Sequence, residues 1–273
     1  MIDLRLKVGA NAIKDRTARR AVPEKSPVDE FEPIRLKDAV ILTAFPTTGS
    51  ATSIAAQYLV RHLGLPLVGH LRMPDLNGFV NIQAGVVTSV VRVYGGQVAC
   101  KIGKTCPSLY VVTSDLPLPP KVMDRVASVL IGWAAAGNAH MLLVLEAVGR
   151  LPGDDTPDVF AASPDAAQLK AIVKAGIPAM ERALIGGIGA QLLLESAQRG
   201  MRAASLLVEA SRDHPDGRAA AALVEAVALL VPDVQVDARP LQKEAMELER
   251  QIRNAQAQAK PPEPEPSAAP SFV

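Results

Sequence analysis

The chain has 273 residues, of which 49% are hydrophobic and 3% aromatic, and its formal net charge is +1 at pH 7. This length allows one large domain or two small ones, and the near-zero charge excludes a global electrostatic attraction to nucleic acid or membranes. No apolar run approaches the roughly 20 residues of a membrane helix. The two cysteines fit a reducing compartment better than a disulfide framework. We therefore expect a cytoplasmic protein with no membrane among its partners.

Residues 1–35 are predicted to form a basic, flexible arm. Lysine and arginine outnumber aspartate and glutamate there, and apolar residues are few after Val8. The segment lacks the larger basic block, interleaved with aromatic residues, that a nucleic-acid-binding arm needs. Nucleic acid is therefore not an expected partner. The folded α/β domain is expected to span residues 36–236.

The first half of this domain is predicted to contain short strands around one helix. Apolar runs predict strands at Asp38–Phe45, Leu65–His70 and Ser108–Asp115, and helical spacing predicts a helix over Ser50–Leu63 with Ser50 or Thr52 as its cap.

The stretch "VVRVYGGQVACKI" (Val90–Ile102) carries a hairpin signal. Alternating apolar residues flank Gly95 and Gly96, which tolerate the positive φ of a tight turn. We therefore predict a β-hairpin whose turn lies at these two glycines.

Helices and strands alternate in the second half. The predicted helices span Val122–Ala136, Pro164–Lys174, Gly186–Arg199 and Gly217–Val231, and the predicted strands span His140–Val148, Val159–Ala162 and Arg202–Ala210. Uninterrupted apolar strands need cover on both faces. The pattern predicts the α/β fold class, as a three-layer α/β/α sandwich of largely parallel strands with an antiparallel hairpin inserted.

Residues 237–260 are predicted to form a C-terminal helix. Its apolar residues step by four, three and four positions, as in the a/d seam of a coiled coil. They are Leu241, Ala245, Leu248 and Ile252. Two heptads are too short for an independent coiled coil, so the helix is expected to dock on the domain or on a second subunit. Residues 261–273 hold five prolines and are predicted to be a flexible tail.

Two turns before predicted helices are candidates for a cleft or an oligomer surface. The turn "PTTGS" has neither the lysine of a P-loop nor the dinucleotide fingerprint G-x-G-x-x-G. The turn "GGIGAQ" comes closer, because backbone N–H groups at a glycine-led helix start can hold an anion. Small residues at such turns serve close packing more often. The candidate residues are Pro46, Gly49, Gly186, Gly187 and Gly189.

No other pattern singles out a catalytic or metal site. Glu146 ends an apolar strand, where α/β enzymes often keep catalytic groups, although a carboxylate there equally satisfies backbone donors. The histidines lack metal-ligand spacing, and neither cysteine has an identifiable base partner. We expect no catalytic residue, no metal and no cofactor. The residues concerned are His62, His70, His140, His214, Cys100 and Cys106.

The tail ends in Phe272 and Val273, an aromatic ring beside a carboxylate. On a proline-rich tether the ring can fill a groove, and the carboxylate can pair with a lysine or with backbone N–H groups. A terminal segment without a role is the alternative.

Several stretches together resemble the proteasome assembly chaperones related to the second eukaryotic assembly chaperone, including its archaeal homologues. They are "AVILTAFPTTGSATSIAAQYLVRHLGLPLVGHL", "LYVVTSDLPLP", "GGIGAQLLLESAQRGMRAASLLVEA" and "PDGRAAAALVEAVALLV". Each has low specificity alone, and their order and spacing over residues 36–253 carry the resemblance. It implies a nucleoside-phosphorylase-like α/β/α fold without catalytic activity. It also implies homo-oligomerisation, no nucleotide requirement, and proteasome α-subunits or the core particle as partners.

The resemblance also bears on the tail. Archaeal members can carry a C-terminal hydrophobic–tyrosine–any motif that enters pockets between proteasome α-subunits. The matching positions are Ser271, Phe272 and Val273. Ser271 is not hydrophobic and Phe272 lacks the tyrosine hydroxyl, whereas the ring and the carboxylate remain. The resemblance implies Phe272 and Val273 as the partner-binding residues, and the two departures from the motif leave weaker docking or no docking as alternatives.

The first functional hypothesis is a proteasome assembly chaperone or a core-particle-binding protein. The alternative is an enzyme or a small-molecule-binding protein on the same fold, which would use the loops near Gly49 and Gly186–Gly189 together with Glu146. A third and weaker hypothesis is a scaffold whose basic arm recruits nucleic acid.

Overall fold

A computed structural model describes residues 28–73, 79–83, 85–97, 108–150, 157–231, 234 and 236–247. The strands are β1 (Val28–Glu30), β2 (Val40–Ala44), β3 (Leu67–Leu71), β4 (Val80–Gln83), β5 (Val86–Ser89), β6 (Val91–Gln97), β7 (Ser108–Ser114), β8 (Met141–Gly149), β9 (Val159–Ala162) and β10 (Ala203–Ala210). The helices are α1 (Ala51–His62), α2 (Pro120–Ala136), α3 (Ala166–Lys174), α4 (Gly187–Gln198) and α5 (Gly217–Leu230).

Eight strands form one sheet in the order β1-β3-β6-β7-β2-β8-β10-β9. The four central strands β7, β2, β8 and β10 are parallel to one another. Antiparallel pairs extend the sheet on both sides. The predicted mixed sheet with a largely parallel centre is confirmed.

Helices cover both faces of the sheet. Alternate residues of β2 pack into two separate apolar clusters: Leu42 lies in the cluster built with α1 and α5, and Ile41 lies in the cluster built with α2 and α4. The central strands are therefore buried on both faces, which is why they read as continuous apolar runs. The three-layer α/β/α sandwich is confirmed.

The predicted turn at Gly95 and Gly96 is wrong. Both glycines lie inside β6, where they pair with Tyr110 and Leu109 of β7. A Cβ atom on Gly95 would lie 2.6 Å from the Leu109 carbonyl oxygen and would overlap the Tyr110 ring. This glycine therefore makes room for an aromatic ring within a sheet. The link between β6 and β7 falls in residues 98–107, outside the described part, as do Cys100 and Cys106.

The structure places one strand before residue 36. Strand β1 lies inside the predicted arm and pairs with β3, where Val28 opposes Leu71 and both are buried. The hairpin of β4 and β5 was not predicted from the sequence. It forms a separate two-stranded sheet.

Two smaller expectations concern helix ends. Ser50 has a left-handed backbone and makes no capping hydrogen bond, whereas the Thr52 hydroxyl donates to the Phe45 carbonyl oxygen at 2.6 Å.

Residues 239–247 are helical, and Leu241 and Ala245 of this segment are buried against the domain. The described part of the C-terminal helix thus docks on its own domain. Within the described residues, no helix combines the length and apolar character needed to cross a membrane.

Candidate functional site

The turn after β2 is held by the loop that follows β10. Gly49 has a φ of +61°, and a Cβ atom there would lie 2.6 Å from the Ser211 carbonyl oxygen. The Gly49 carbonyl oxygen accepts a hydrogen bond from the Asp216 N–H at 2.8 Å. Only glycine combines this left-handed conformation with such close backbone contact. On this side the turn is covered by the protein's own chain, and Pro46 before it is half-buried.

A buried carboxylate joins the two loops. Asp216, at the N-cap of α5, accepts hydrogen bonds from the Ala219 N–H at 2.9 Å and from the Ser211 N–H at 2.9 Å. Its second oxygen also accepts from the Arg150 guanidinium at 2.8 Å, and that guanidinium donates to the Glu209 carbonyl oxygen at 3.0 Å. Asp216 is 2% exposed. This network fixes the β2–α1 and β10–α5 loops to the end of β8.

The glycine-led turn before α4 has a different environment. Gly187 has a φ of +76° and open space where a side chain would stand. Gly189 lies directly against the Glu146 carboxyl group, and a Cβ atom there would overlap it. Gly189 thus allows α4 to approach β8 closely, whereas the space beside Gly186 and Gly187 is open.

Glu146 is a buried acid near the carboxyl end of β8. It is 7% exposed, and burial raises its pKa from the ordinary value of 4.5 to about 7. Desolvation has this effect because the charged form loses the most when water is removed. The group is therefore poised between its neutral and charged forms near neutral pH.

The sheet separates the two candidate turns. Gly49 leads into α1, in the α1/α5 layer, whereas Glu146 and Gly189 lie in the α2/α4 layer. The structure thus brings Gly49 to Asp216 and Gly189 to Glu146, but it does not join these pairs in one cleft. Phe272 and Val273 lie outside the described residues.

The described residues contain no group of three or more His, Cys, Asp and Glu side chains arranged to hold a metal ion. The histidines have separate environments. His62 stacks on Tyr58 at 5.5 Å between ring centroids, and His70 lies 3.4 Å from the Asp29 carboxylate and meets the Phe31 ring edge-on.

A cavity of about 360 Å³ lies between α1, the β4–β5 hairpin and the β6–β7 pair. It lies beside the carboxyl end of β7, the edge at which α/β folds commonly bind ligands. Its lining residues are Gln57, Val60, Arg61, Asn81, Ile82, Arg92, Tyr94, Thr113 and Asp115. Sequence reasoning missed this site. Its one signal was an arginine within the apolar alternation of "VVRVY".

The cavity contains an ion pair between the buried Arg92 and the partly exposed Asp115. The Arg92 guanidinium donates to one Asp115 carboxylate oxygen at 2.5 Å, and the Asn81 amide donates to the other at 2.8 Å. Arg92 also lies over the Tyr94 ring, 5.6 Å from its centroid. Burial is the main cause of the raised pKa of Tyr94. Hydrogen bonds thus join Arg92, Asn81 and Asp115 in one polar cluster of the cavity.

The family model of the PAC2 family matches residues 41–256, well over half of the chain. The chain belongs to the PAC2 family. A sequence relative, an uncharacterised protein of Methanocaldococcus jannaschii, is 23% identical over 220 residues, which are 81% of this chain and 86% of the relative.

Solved structures of PAC2-like proteins share the fold. Pyrococcus furiosus PbaA, described as an archaeal homologue of proteasome-assembly chaperone, is 27% identical with a TM-score of 0.73, covering 85% of this chain and 93% of PbaA. Pyrococcus furiosus PbaB, described as an archaeal proteasome activator, is 21% identical with a TM-score of 0.71, covering 84% of this chain and 98% of PbaB. The α/β/α sandwich derived above is thus also found in these proteins.

Proposed function

We propose that this PAC2 family protein is a proteasome-associated binding protein, which assists proteasome assembly or binds the core particle through its α-subunits. The observation that carries the proposal is the similarity to PbaA, at 27% identity over 85% of the chain. PbaA is described as a chaperone homologue and PbaB as an activator, and neither description names an enzymatic reaction. The proposed role is therefore binding rather than catalysis.

Self-association of the folded body is part of the proposal. Leu184 is 99% exposed just before α4, and Leu194 on α4 is 59% exposed. Apolar side chains exposed to this degree favour burial against another protein surface. A second copy of the chain is the partner that we propose for this region.

The tail supplies the second contact of the proposal. Five prolines in residues 261–273 favour an extended backbone, which would give the last residues reach. Phe272 would fill an apolar groove between α-subunits, and the Val273 carboxylate would pair with a lysine or with backbone N–H groups. Since Phe272 lacks a hydroxyl, one hydrogen bond of about 0.5–1.5 kcal/mol is lost relative to tyrosine.

Assembly assays test this function. Purified α-subunits from the same organism should form rings or core particles faster with the full-length chain than without it, as followed by native mass spectrometry. Deleting Ser271–Val273 should weaken the complex without changing the stability of the domain. The matched control replaces Ser267, Ala268 and Ala269 of the tail by glycines and leaves the terminus intact. No complex and no change in assembly with the full-length chain would contradict the function, whereas full activity of the truncated chain would contradict only the role of the tail.

A further inference from the structure

The first turn of α4 offers backbone donors that the described part of the chain does not use. The N–H groups of Gly187, Ile188 and Gly189 have no hydrogen-bond acceptor among the described residues, and Gly186 at the N-cap has no side chain to supply one. The first turn also holds no acidic residue. Free N–H groups at the start of a helix carry a partial positive charge. This end of α4, a helix of 12 residues, therefore favours a negatively charged group.

A buried acid is directed at the same turn. Glu146 is 7% exposed, and its carboxyl group lies directly against Gly189. This carboxyl group forms no hydrogen bond or ion pair with a described residue, and it does not cap α4. Its oxygens keep some accessible surface, unlike the fully enclosed hydroxyls of Thr43 on β2 and Ser205 on β10. A group that enters from solvent at the start of α4 can therefore reach them.

Among the described residues, no basic side chain holds Glu146 in its charged form. Burial is the cause of its raised pKa, about 7. Strand β2 and the first two turns of α4 carry no charged residue, and β10 carries the partly exposed acid Glu209. The charged residues of α2 and of the segment just before α4 have exposed side chains. They are Lys121, Asp124, Arg125, Glu181 and Arg182. Near neutral pH the Glu146 carboxyl group therefore exists in part in its neutral form, whose O–H donates a hydrogen bond.

The helix start and the acid together match an oxyanion. Free N–H groups at a helix N-terminus donate to the oxygens of carboxylate, phosphate or sulfate groups. A neutral carboxyl group donates its O–H to the same kind of oxygen, and such hydrogen bonds to a charged acceptor are among the strong ones. A cation does not fit, because the positive end of α4 repels it. When Glu146 is charged, its own carboxylate repels an incoming anion, so the neutral form is the one that binds.

We propose that the start of α4 and the Glu146 carboxyl group form a binding site for a small oxyanion, the carboxylate or phosphate group of a ligand. The anion accepts hydrogen bonds from the N–H groups of the first turn and from the O–H of neutral Glu146. A chain whose Glu146 is charged takes up one proton when it binds. This site lies in the α2/α4 layer, away from the turn at Gly49, and does not depend on the proteasome as the partner.

The test uses sulfate and acetate, which both keep their charge between about pH 6 and about pH 8. Each is titrated into the ¹⁵N-labelled full-length chain at constant ionic strength, with chloride as the reference, while the Gly187 and Gly189 amide resonances are followed. We expect saturable shifts that chloride does not produce. The apparent affinity should be roughly tenfold weaker at pH 8 than at pH 6, because only chains with neutral Glu146 bind. The anion that binds more tightly shows whether the ligand group is tetrahedral, like phosphate, or a planar carboxylate.

The Glu146→Gln variant shows whether the proton resides on Glu146. Its amide donates a hydrogen bond at every pH, so its affinity should not change with pH and should exceed that of the wild type roughly tenfold at pH 8. The matched control Glu181→Gln changes an exposed acid shortly before α4 and should keep the pH dependence of the wild type. The proposal fails if neither anion gives saturable shifts at pH 6, if the wild-type affinity is the same at both pH values, or if Glu146→Gln keeps the wild-type pH dependence.

Discussion

Replacing Asp216 by alanine is expected to lower the free energy of unfolding by about 3–5 kcal/mol. The side chain is 2% exposed and accepts three hydrogen bonds, from Ala219, Ser211 and Arg150. Without it, the Arg150 guanidinium, whose side chain is 13% exposed, stays largely buried without its carboxylate, and α5 loses its N-cap. Breaking a buried pair by removing one partner leaves an uncompensated charge, which is why the cost exceeds that of a surface ion pair. Urea denaturation monitored by circular dichroism measures the change.

Two further variants separate the causes. Asp213→Ala lies in the same loop with an exposed side chain and should change stability by less than about 0.5 kcal/mol. Asp216→Asn keeps an oxygen for the helix cap but loses the charge, so it should fall between the wild type and Asp216→Ala. A loss below about 1 kcal/mol for Asp216→Ala would show that the network does not hold the loops together.

Glu146 should make the protein less stable as the pH rises. Its folded-state pKa, about 7, lies above the ordinary value of 4.5 because of burial. The folded state therefore holds this proton more tightly than the unfolded chain does. The resulting stabilisation is fully present below pH 4.5 and is lost as the pH rises through 7. The difference corresponds to about 3 kcal/mol.

The Glu146→Gln variant measures this effect directly. It should match the wild type near pH 4.5, when both side chains are neutral, and exceed its unfolding free energy by about 3 kcal/mol above pH 8. Glu181→Gln, which changes an exposed glutamate, should keep the pH profile of the wild type. Parallel profiles for Glu146→Gln and the wild type would show that this carboxyl group is not the origin of the pH dependence.

The central strands of the fold can be predicted from the sequence because burial on both faces requires continuous apolar runs. Strands such as β2 and β8 are continuous apolar runs, and the helices between them keep helical spacing. The misplaced turn has a definite cause. Position 95 is a glycine because the Tyr110 ring of β7 occupies the space where a side chain would stand. A contact between two strands cannot be recognised from local composition.

For the candidate sites too, local features can be predicted from the sequence, whereas contacts between distant residues cannot. That "PTTGS" lacks the lysine of a P-loop can be read from the local sequence. The role of Gly49 cannot, because its contacts with Ser211 and Asp216 come from a loop far along the chain. The cavity was missed for the same reason. Asn81, Arg92 and Asp115 belong to different strands and loops, and only the folded sheet brings them together.

The most direct test of the central claim is the mass of proteasome core particles from the same organism, measured by mass photometry with and without the full-length chain. The proposed function predicts discrete mass increases that correspond to whole numbers of bound subunits and that saturate as the chain is added. The same measurement with α-rings should give the same kind of increase, since the α-subunits are the proposed contact. Core particles and α-rings whose masses stay unchanged at saturating concentrations of the chain would contradict the account.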